Sequence, residues 1–260
     1  MKIVTVINQT TNFGFNLLRL SCALNGLELV VLLHNGPFTS NRIKDDLLSR
    51  YLKNEDAEEV ILFSDGNDAV FLANETEILN KYYSAGKEVL FSAEEICWPD
   101  INLSDQYPPS PTPYKYLNSG GFIGKAGALT KLLEDEEFDL ENFRQSNQYL
   151  WTKRYFKYRS LIGLDTACEL FGTFCPDSKS AGLSGKVGNQ HYEYLKKWFK
   201  SNFTIADHRI KVRITQTLPC HAHFNGFSKS LMSSEVVAIL YGRISEKHTT
   251  TFYINQDPEI

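Results

Sequence analysis

Apolar residues in the first hundred positions come in short, nearly unbroken runs, separated by stretches in which they recur every three or four residues. Runs of the first kind predict strands buried on both faces, and stretches of the second kind predict helices with one apolar stripe. Ile3 to Ile7 reads as the first strand, and Phe13, Leu17, Leu20 and Leu24 fall on or near one face of a following helix. Residues 27–33 read as a second strand, and Ile43, Leu47, Leu48 and Tyr51 mark a helix over 41–52. A third strand covers 60–63. Asn74 with Glu77 three residues on is a capping box, which opens a helix carrying Ile78, Leu79 and Tyr82 before a fourth strand at 88–92. Repeated β-α-β units predict a mostly parallel sheet covered on both faces, with ligands at the carboxyl ends of its strands.

The second half is less regular. Trp98-Pro99 and the prolines at 108, 109, 111 and 113 predict one long ordered loop over 94–115 with neither strand nor helix. A strand at 116–124 passes through two glycines, and a helix at 125–133 leads into an acidic stretch, 134–141, read as a solvated turn. A helix over 147–156, an irregular middle and a strand at 209–215 complete the reading.

A chain of 260 residues, 42% hydrophobic, buries enough surface to fold without a metal or disulfide, which leaves any metal site free for chemistry. Its net charge of -4 excludes the cationic stripe that coats nucleic acid, so no nucleic-acid partner is expected. Neither a signal-peptide core nor an apolar run of 18 residues is present, which predicts a cytoplasmic protein with no membrane partner. Five scattered cysteines without a C-x-x-C pair give neither a disulfide framework nor a zinc ribbon.

Four segments carry candidate chemistry. Phe63-Ser64-Asp65-Gly66-Asn67-Asp68 puts two carboxylates on a turn directly after a buried strand, with Gly66 expected to allow a sharp turn. Such a pair either holds a divalent cation through oxygen or makes a self-bonding Asx turn, and the motif alone supports both readings. The segment from Leu218 to Lys229 offers His221 and His223 to complete a cation site and Lys229 to neutralise a phosphate. In Asn118-Ser119-Gly120-Gly121, consecutive glycines let backbone approach a ligand closely while Asn118 and Ser119 offer hydrogen bonds to sugar hydroxyls. Glu94 falls just past a strand end, and Trp98 offers an aromatic plate for a pyranose face.

Taken in order, Phe-Ser-Asp-Gly-Asn-Asp, Phe-Ser-Ala-Glu with Cys-Trp-Pro, Tyr-Leu-Asn-Ser-Gly-Gly-Phe-Ile-Gly and Leu-Pro…His-x-Asn-Gly-x-x-Lys resemble the glycosyltransferase domain of collagen lysyl hydroxylases, over residues 5–229. The likeness extends to free-standing versions of that domain in giant viruses. The resemblance implies an α/β GT-A fold, a Rossmann-like mixed sheet flanked by helices. It implies a single domain over 1–260, whose first half, 1–125, binds the nucleotide sugar. The second half, 126–260, would bind the acceptor and supply the C-terminal metal and diphosphate motif. The implied activity is retaining transfer of glucose from UDP-glucose, with Mn²⁺ or alternatively Mg²⁺, to galactosyl-hydroxylysine of a collagen-like acceptor.

By position, Asp65, Asp68 and His223 match the metal ligands, Thr5 and Val6 the uridine site, and Gly226 and Lys229 the diphosphate contacts. Either Arg42 or Lys44 matches another basic donor contact; Trp98 matches a gate, Glu94 a polar group of the catalytic pocket, and Asn225 the asparagine beside the metal histidine. Asn118 would lie near the acceptor cleft, and Asp165 is either an acceptor-side carboxylate or a cap. Two positions depart from the family. Asn67 replaces the tyrosine that stacks on uracil, and Arg144-Gln145-Ser146-Asn147 replaces a run of aspartates, so that Asn147 can orient a hydroxyl but cannot act as a base. The rival readings are UDP-galactose transfer to hydroxylysine, transfer to another acceptor, a UDP-sugar-binding module without turnover, and a phosphohydrolase acid turn. The last leaves His223 and Lys229 unexplained.

Overall fold

A computed structural model of the chain describes residues 1–135, 138, 143–177 and 188–246. Strands β1 (Lys2–Ile7), β2 (Leu29–Leu33) and β3 (Val60–Ser64) alternate with helices α1 (Phe13–Asn25) and α2 (Ile43–Leu52), close to the pattern in the sequence. The short strand β4 (Ala69–Phe71), helix α3 (Glu75–Ser84) and strand β5 (Val89–Glu94) follow, with Asn74 accepting from the Glu77 N–H as the capping box requires. After the proline-rich segment come β6 (Tyr116–Lys125), α4 (Ala126–Glu134), α5 (Asn147–Lys157), β7 (Ile162–Asp165) and β8 (Phe171–Thr173). Helix α6 (Gly188–Asn202), strands β9 (Phe203–Ala206), β10 (Arg209–Val212) and β11 (His221–His223), and helix α7 (Val237–Glu246) complete the described part.

Six strands form the central sheet in the order β2-β1-β3-β6-β5-β7. All neighbours pair in parallel except β6, which runs antiparallel to both β3 and β5. This makes the sheet mixed, and it has a functional consequence. Reversing β6 puts its beginning, Asn118 to Gly121, at the carboxyl ends of β3 and β5, beside Asp65 and Glu94.

Cover on both faces explains the near-continuous apolar runs of β1, β3 and β5, whereas β2, at the edge of the sheet, leaves Val31 and Leu33 exposed. Val4, Val6, Ile61, Phe63, Phe91 and Phe122 pack against α2, α4 and α5 through Leu48, Leu129 and Trp151. The alternate residues Ile3, Ile7, Leu62, Leu90 and Ile123 meet α1 and α3 through Phe15, Leu18, Ile78 and Tyr82. Phe91 is the hub of an aromatic stack, 4.7 Å from Phe122 and 5.0 Å from Trp151 between ring centroids. Such pairs each add about 1 kcal/mol beyond their buried area.

A second sheet, in the order β4-β11-β8, lies over a further core made with α6 and α7, where Phe174, Ala222 and Phe224 meet Leu195, Phe199 and Ile239. β11 pairs antiparallel with β4 and parallel with β8. None of the three strands was legible, because each is three residues long and too short to show a period of two.

Several expectations change. Residues 101–106 of the proline-rich segment form a 3₁₀ turn, since the prolines flank it and Asp100 caps it by accepting from the Asn102 N–H. The last predicted strand ends at Val212 rather than 215, where the Val212 carbonyl turns to accept from Gln216. The acidic run 134–141 falls mostly outside the described residues; within them, the Asp135 carboxylate accepts from the side chains of Lys157 and Tyr158. All five cysteines are free and buried. Among the described residues, no helix is long and apolar enough to cross a membrane.

Candidate functional site

A cavity of about 620 Å³ opens at the carboxyl ends of β3 and β5 and is lined by Lys44, Asp65, Asp68, Glu94, Trp98, Asn118, Asn147, His223, Asn225, Gly226 and Lys229. Asp65 and Asp68 arrive on the turn between β3 and β4. Gly66 does not adopt a left-handed conformation there. What it contributes is the absence of a Cβ, which would lie 2.3 Å from Ile7 Cγ2 and 2.8 Å from Thr5 Oγ1. The acid turn is thereby seated directly on β1.

His223 comes from β11, and one ligand atom from each of Asp65, Asp68 and His223 lies within 4.8 Å of the others. His223 Nε2 is 3.5 Å from Asp68 Oδ1 and 3.7 Å from Asp65 Oδ2. The ring is oriented from behind by Asn118. Asn118 Oδ1 accepts from the Gly120 N–H at 2.9 Å and lies 3.1 Å from His223 Nδ1. An N–H can only donate, so the Asn118 atom there is the oxygen and His223 Nδ1 carries a proton. His223 Nε2 is then aimed at the two carboxylates, buried and without a hydrogen-bond partner. This is the usual outer-shell arrangement of a metal-ligating imidazole.

Two ammonium groups complete the centre. Lys44 Nζ donates to Asp65 Oδ1 at 2.5 Å, and Lys229 Nζ lies 2.8 Å from Asp68 Oδ2. Burial works against charge at Asp68, yet His223 and Lys229 hold its carboxyl well below the ordinary range. Burial likewise works to lower the His223 pKa, and the Asp68 and Asp65 charges raise it overall. Glu94 behaves oppositely. Its burial pushes the carboxyl up to about 7, although Gln148 and Asn225 both donate to it, at 2.6 and 2.8 Å.

The structure separates the predicted residues into two groups. Arg42 leaves the site and lines a different cavity with Asp45 and Arg154, so the basic residue that reaches the centre from this segment is Lys44. Thr5 and Val6 are buried on β1 and do not line the cavity. Asn67 also stays off its wall, with its carbonyl against Gly14 of α1. Asp165 does not line this cavity, and its carboxylate accepts the backbone N–H groups of Glu169, Leu170 and Phe171, the capping alternative of its two readings. Asn118, expected near the acceptor cleft, lines the cavity with its oxygen engaged within the protein.

Gln148 lines the cavity too, and the sequence motifs assigned it no role. Its Nε2 donates to Glu94 Oε1 and to the Trp98 carbonyl, and its Oε1 accepts from the Ser119 N–H, joining three walls of the cavity. Its place at the N-terminus of α5, one residue after Asn147, was the available signal.

A mixed sheet with an acid turn after its third strand, answered by a histidine and a lysine from near the C-terminus, has the architecture of the GT-A glycosyltransferases. Mouse xyloside xylosyltransferase 1, in its apo form, shares this fold with a TM-score of 0.50 at 12% identity, covering 87% of this chain and 98% of that one. Residues 1–235 match the family described as the PLOD GT domain, and the chain belongs to that family. It is similar to human multifunctional procollagen lysine hydroxylase and glycosyltransferase LH3, 34% identical over 186 residues, which are 70% of this chain and 22% of that protein. The uncharacterized protein R699 of Acanthamoeba polyphaga mimivirus is 26% identical over 208 residues, 78% of this chain and 39% of that protein. The chain thus spans about a fifth of the length of its procollagen lysine-modifying relatives.

Proposed function

We propose that the chain is a metal-dependent retaining glycosyltransferase that moves glucose from UDP-glucose to galactosyl-hydroxylysine of a collagen-like protein. The observation that carries this reading is the convergence of Asp65, Asp68 and His223 with Lys44 and Lys229 in one cavity of a PLOD GT-type domain. The donor set suits a divalent cation. Two carboxylates and an otherwise orphaned buried imidazole nitrogen fit Mn²⁺, and they also admit Mg²⁺. When bound, such a cation neutralises charge on the donor diphosphate.

The chain's own residues supply the rest of the chemistry. Among the described residues, Lys229 and Lys44 are the cations lining the cavity and available to the leaving diphosphate, and in the resting site each is parked on a metal carboxylate. Attack is front-face: the acceptor oxygen bonds to the anomeric carbon as the bond to UDP breaks, and the acceptor proton passes to the leaving phosphate oxygen. Preorganised charge around that phosphate supplies most of the rate. Glu94, gripped by Gln148 and Asn225, positions the sugar, and the exposed Trp98 closes over it. Asn147, with its Oδ1 held by the Ser119 hydroxyl, orients an acceptor hydroxyl.

The test is UDP release in the presence of Mn²⁺, from UDP-glucose and from UDP-galactose, each with and without a galactosyl-hydroxylysine collagen peptide. Release that needs both UDP-glucose and the galactosylated peptide is expected. Release from UDP-galactose with unglycosylated hydroxylysine peptide would replace the reading with galactosyl transfer, and binding of UDP without turnover would leave a binding module.

A further inference from the structure

The metal triad leaves one buried imidazole without a role. His221 is fully buried on β11, its ring wedged between Phe71 and Phe171 at centroid distances of 5.1 and 5.5 Å. Its Nε2 lies 2.9 Å from Ser64 Oγ, the last residue of β3, while its Nδ1 is buried with no hydrogen-bond partner. An apolar slot would accept a leucine or methionine at this position more cheaply than an imidazole with an orphaned nitrogen. The polar ring therefore has something to do at its other end.

Proton counting settles the direction of the contacts. Ser64 Oγ also lies 3.1 Å from the Asp65 carbonyl, which can only accept, so the single hydroxyl proton goes there. With that proton used, the Ser64 oxygen accepts from His221, and His221 must be the Nε2–H tautomer. A bare Nδ1 is then an unpaired acceptor rather than an unpaired donor. This is the arrangement that leaves the least polar surface unsatisfied.

The chain of contacts ends on the residue that bears the first carboxylate of the triad. Asp65 has its N–H held by the Gly120 carbonyl at 2.9 Å and its own carbonyl held by the Ser64 hydroxyl. We propose that His221 is a positioning residue for Asp65: by fixing the Ser64 hydroxyl it fixes the Asp65 peptide, and so aims that carboxylate at His223. The inference rests on reading Asp65, Asp68 and His223 as a metal site. It also assigns the two histidines of β11 distinct tasks, His223 as a ligand and His221 as the brace of the opposite ligand.

Mn²⁺ affinity of the full chain, read from the electron paramagnetic resonance signal of free Mn²⁺ without nucleotide, tests this independently of turnover. Ser64→Ala removes only a hydroxyl and keeps the core. It is expected to weaken Mn²⁺ binding about tenfold, the usual scale for an outer-shell partner. His221→Met should match it, the double variant should be no weaker than either single one, and His221→Gln, which restores an N–H donor, should recover most of the loss. Wild-type affinity in Ser64→Ala, losses that multiply in the double variant, or His221→Gln as weak as His221→Met would each overturn the proposal. A wild-type protein that binds no Mn²⁺ would overturn the metal reading itself, and this inference with it.

Discussion

The imidazole of His223 occupies the space that a side chain at position 120 would need. A Cβ on Gly120 would fall 2.1 Å from His223 Cε1, and one on Gly121 would fall 3.0 Å from His221 Cε1. The paired glycines of β6 thus make room for the paired histidines of β11, one ring over each, while Gly120 also lines the cavity.

Gly120→Ala should accordingly displace His223 and cost at least about 2 kcal/mol of stability through overpacking. Calorimetric unfolding and an Mn²⁺ titration would check this. An alanine variant with unchanged metal affinity would show that His223 is not a ligand in its present position.

Asp68→Asn retains the shape of a buried side chain while removing the charge that Lys229 and His223 share. Turnover of the UDP-sugar should fall below detection with the circular dichroism spectrum unchanged. Full activity in this variant would sink the metal assignment.

Lys44 gives a prediction of mixed sign. Because its ammonium neutralises Asp65 in the metal-free site, Lys44→Met should raise Mn²⁺ affinity several-fold and at the same time weaken binding of UDP. Isothermal titration with each ligand separately resolves the two effects. Weaker binding of both would mean that Lys44 acts only as a structural prop.

Glu94 sets a pH dependence. Burial raises its carboxyl from the ordinary 4.5 to about 7, so the folded chain holds this proton more tightly than the unfolded chain does. The stability this provides is complete below pH 4.5 and is lost as pH rises toward 7, about 3 kcal/mol over the window. Glu94→Gln lacks this term. The melting temperature of the variant relative to the wild type should climb between pH 5 and pH 8, and parallel curves would contradict the assignment.

Trp98 is 64% exposed at the cavity mouth. Trp98→Ala should change stability by less than about 0.5 kcal/mol and lower transfer markedly. Melting temperature and turnover measured on one preparation separate the two.

Legibility followed element length. Apart from β4, the strands and helices up to Glu94 could be read because each spans enough residues to display its period. β4, β8 and β11 could not, since three residues carry no period. Motif order placed Asp65, Asp68, Glu94, His223 and Lys229 in one cavity, as the geometry now does. What motif order could not supply was direction. Arg42 and Lys44 lie two positions apart near the start of one helix, and only the packing of α2 decides which of them reaches Asp65. Asp165 resembled a catalytic carboxylate in composition, but three backbone donors a few residues downstream claim it.

The insertion of β11 between β4 and β8 also dictates an order of events during synthesis. Until residues 221–223 emerge, the inner edges of Ala69–Phe71 and Phe171–Thr173 have no partner, and the acid turn faces no imidazole. The central sheet can collapse early on its long, locally connected elements, whereas the cluster of Asp65, Asp68 and His223 waits for β11, which is distant in sequence from the acid turn. A nascent chain therefore lacks the completed Asp65, Asp68 and His223 cluster until the scaffold around it is already built, and the unpaired edges make that interval the one in which a chaperone would matter most.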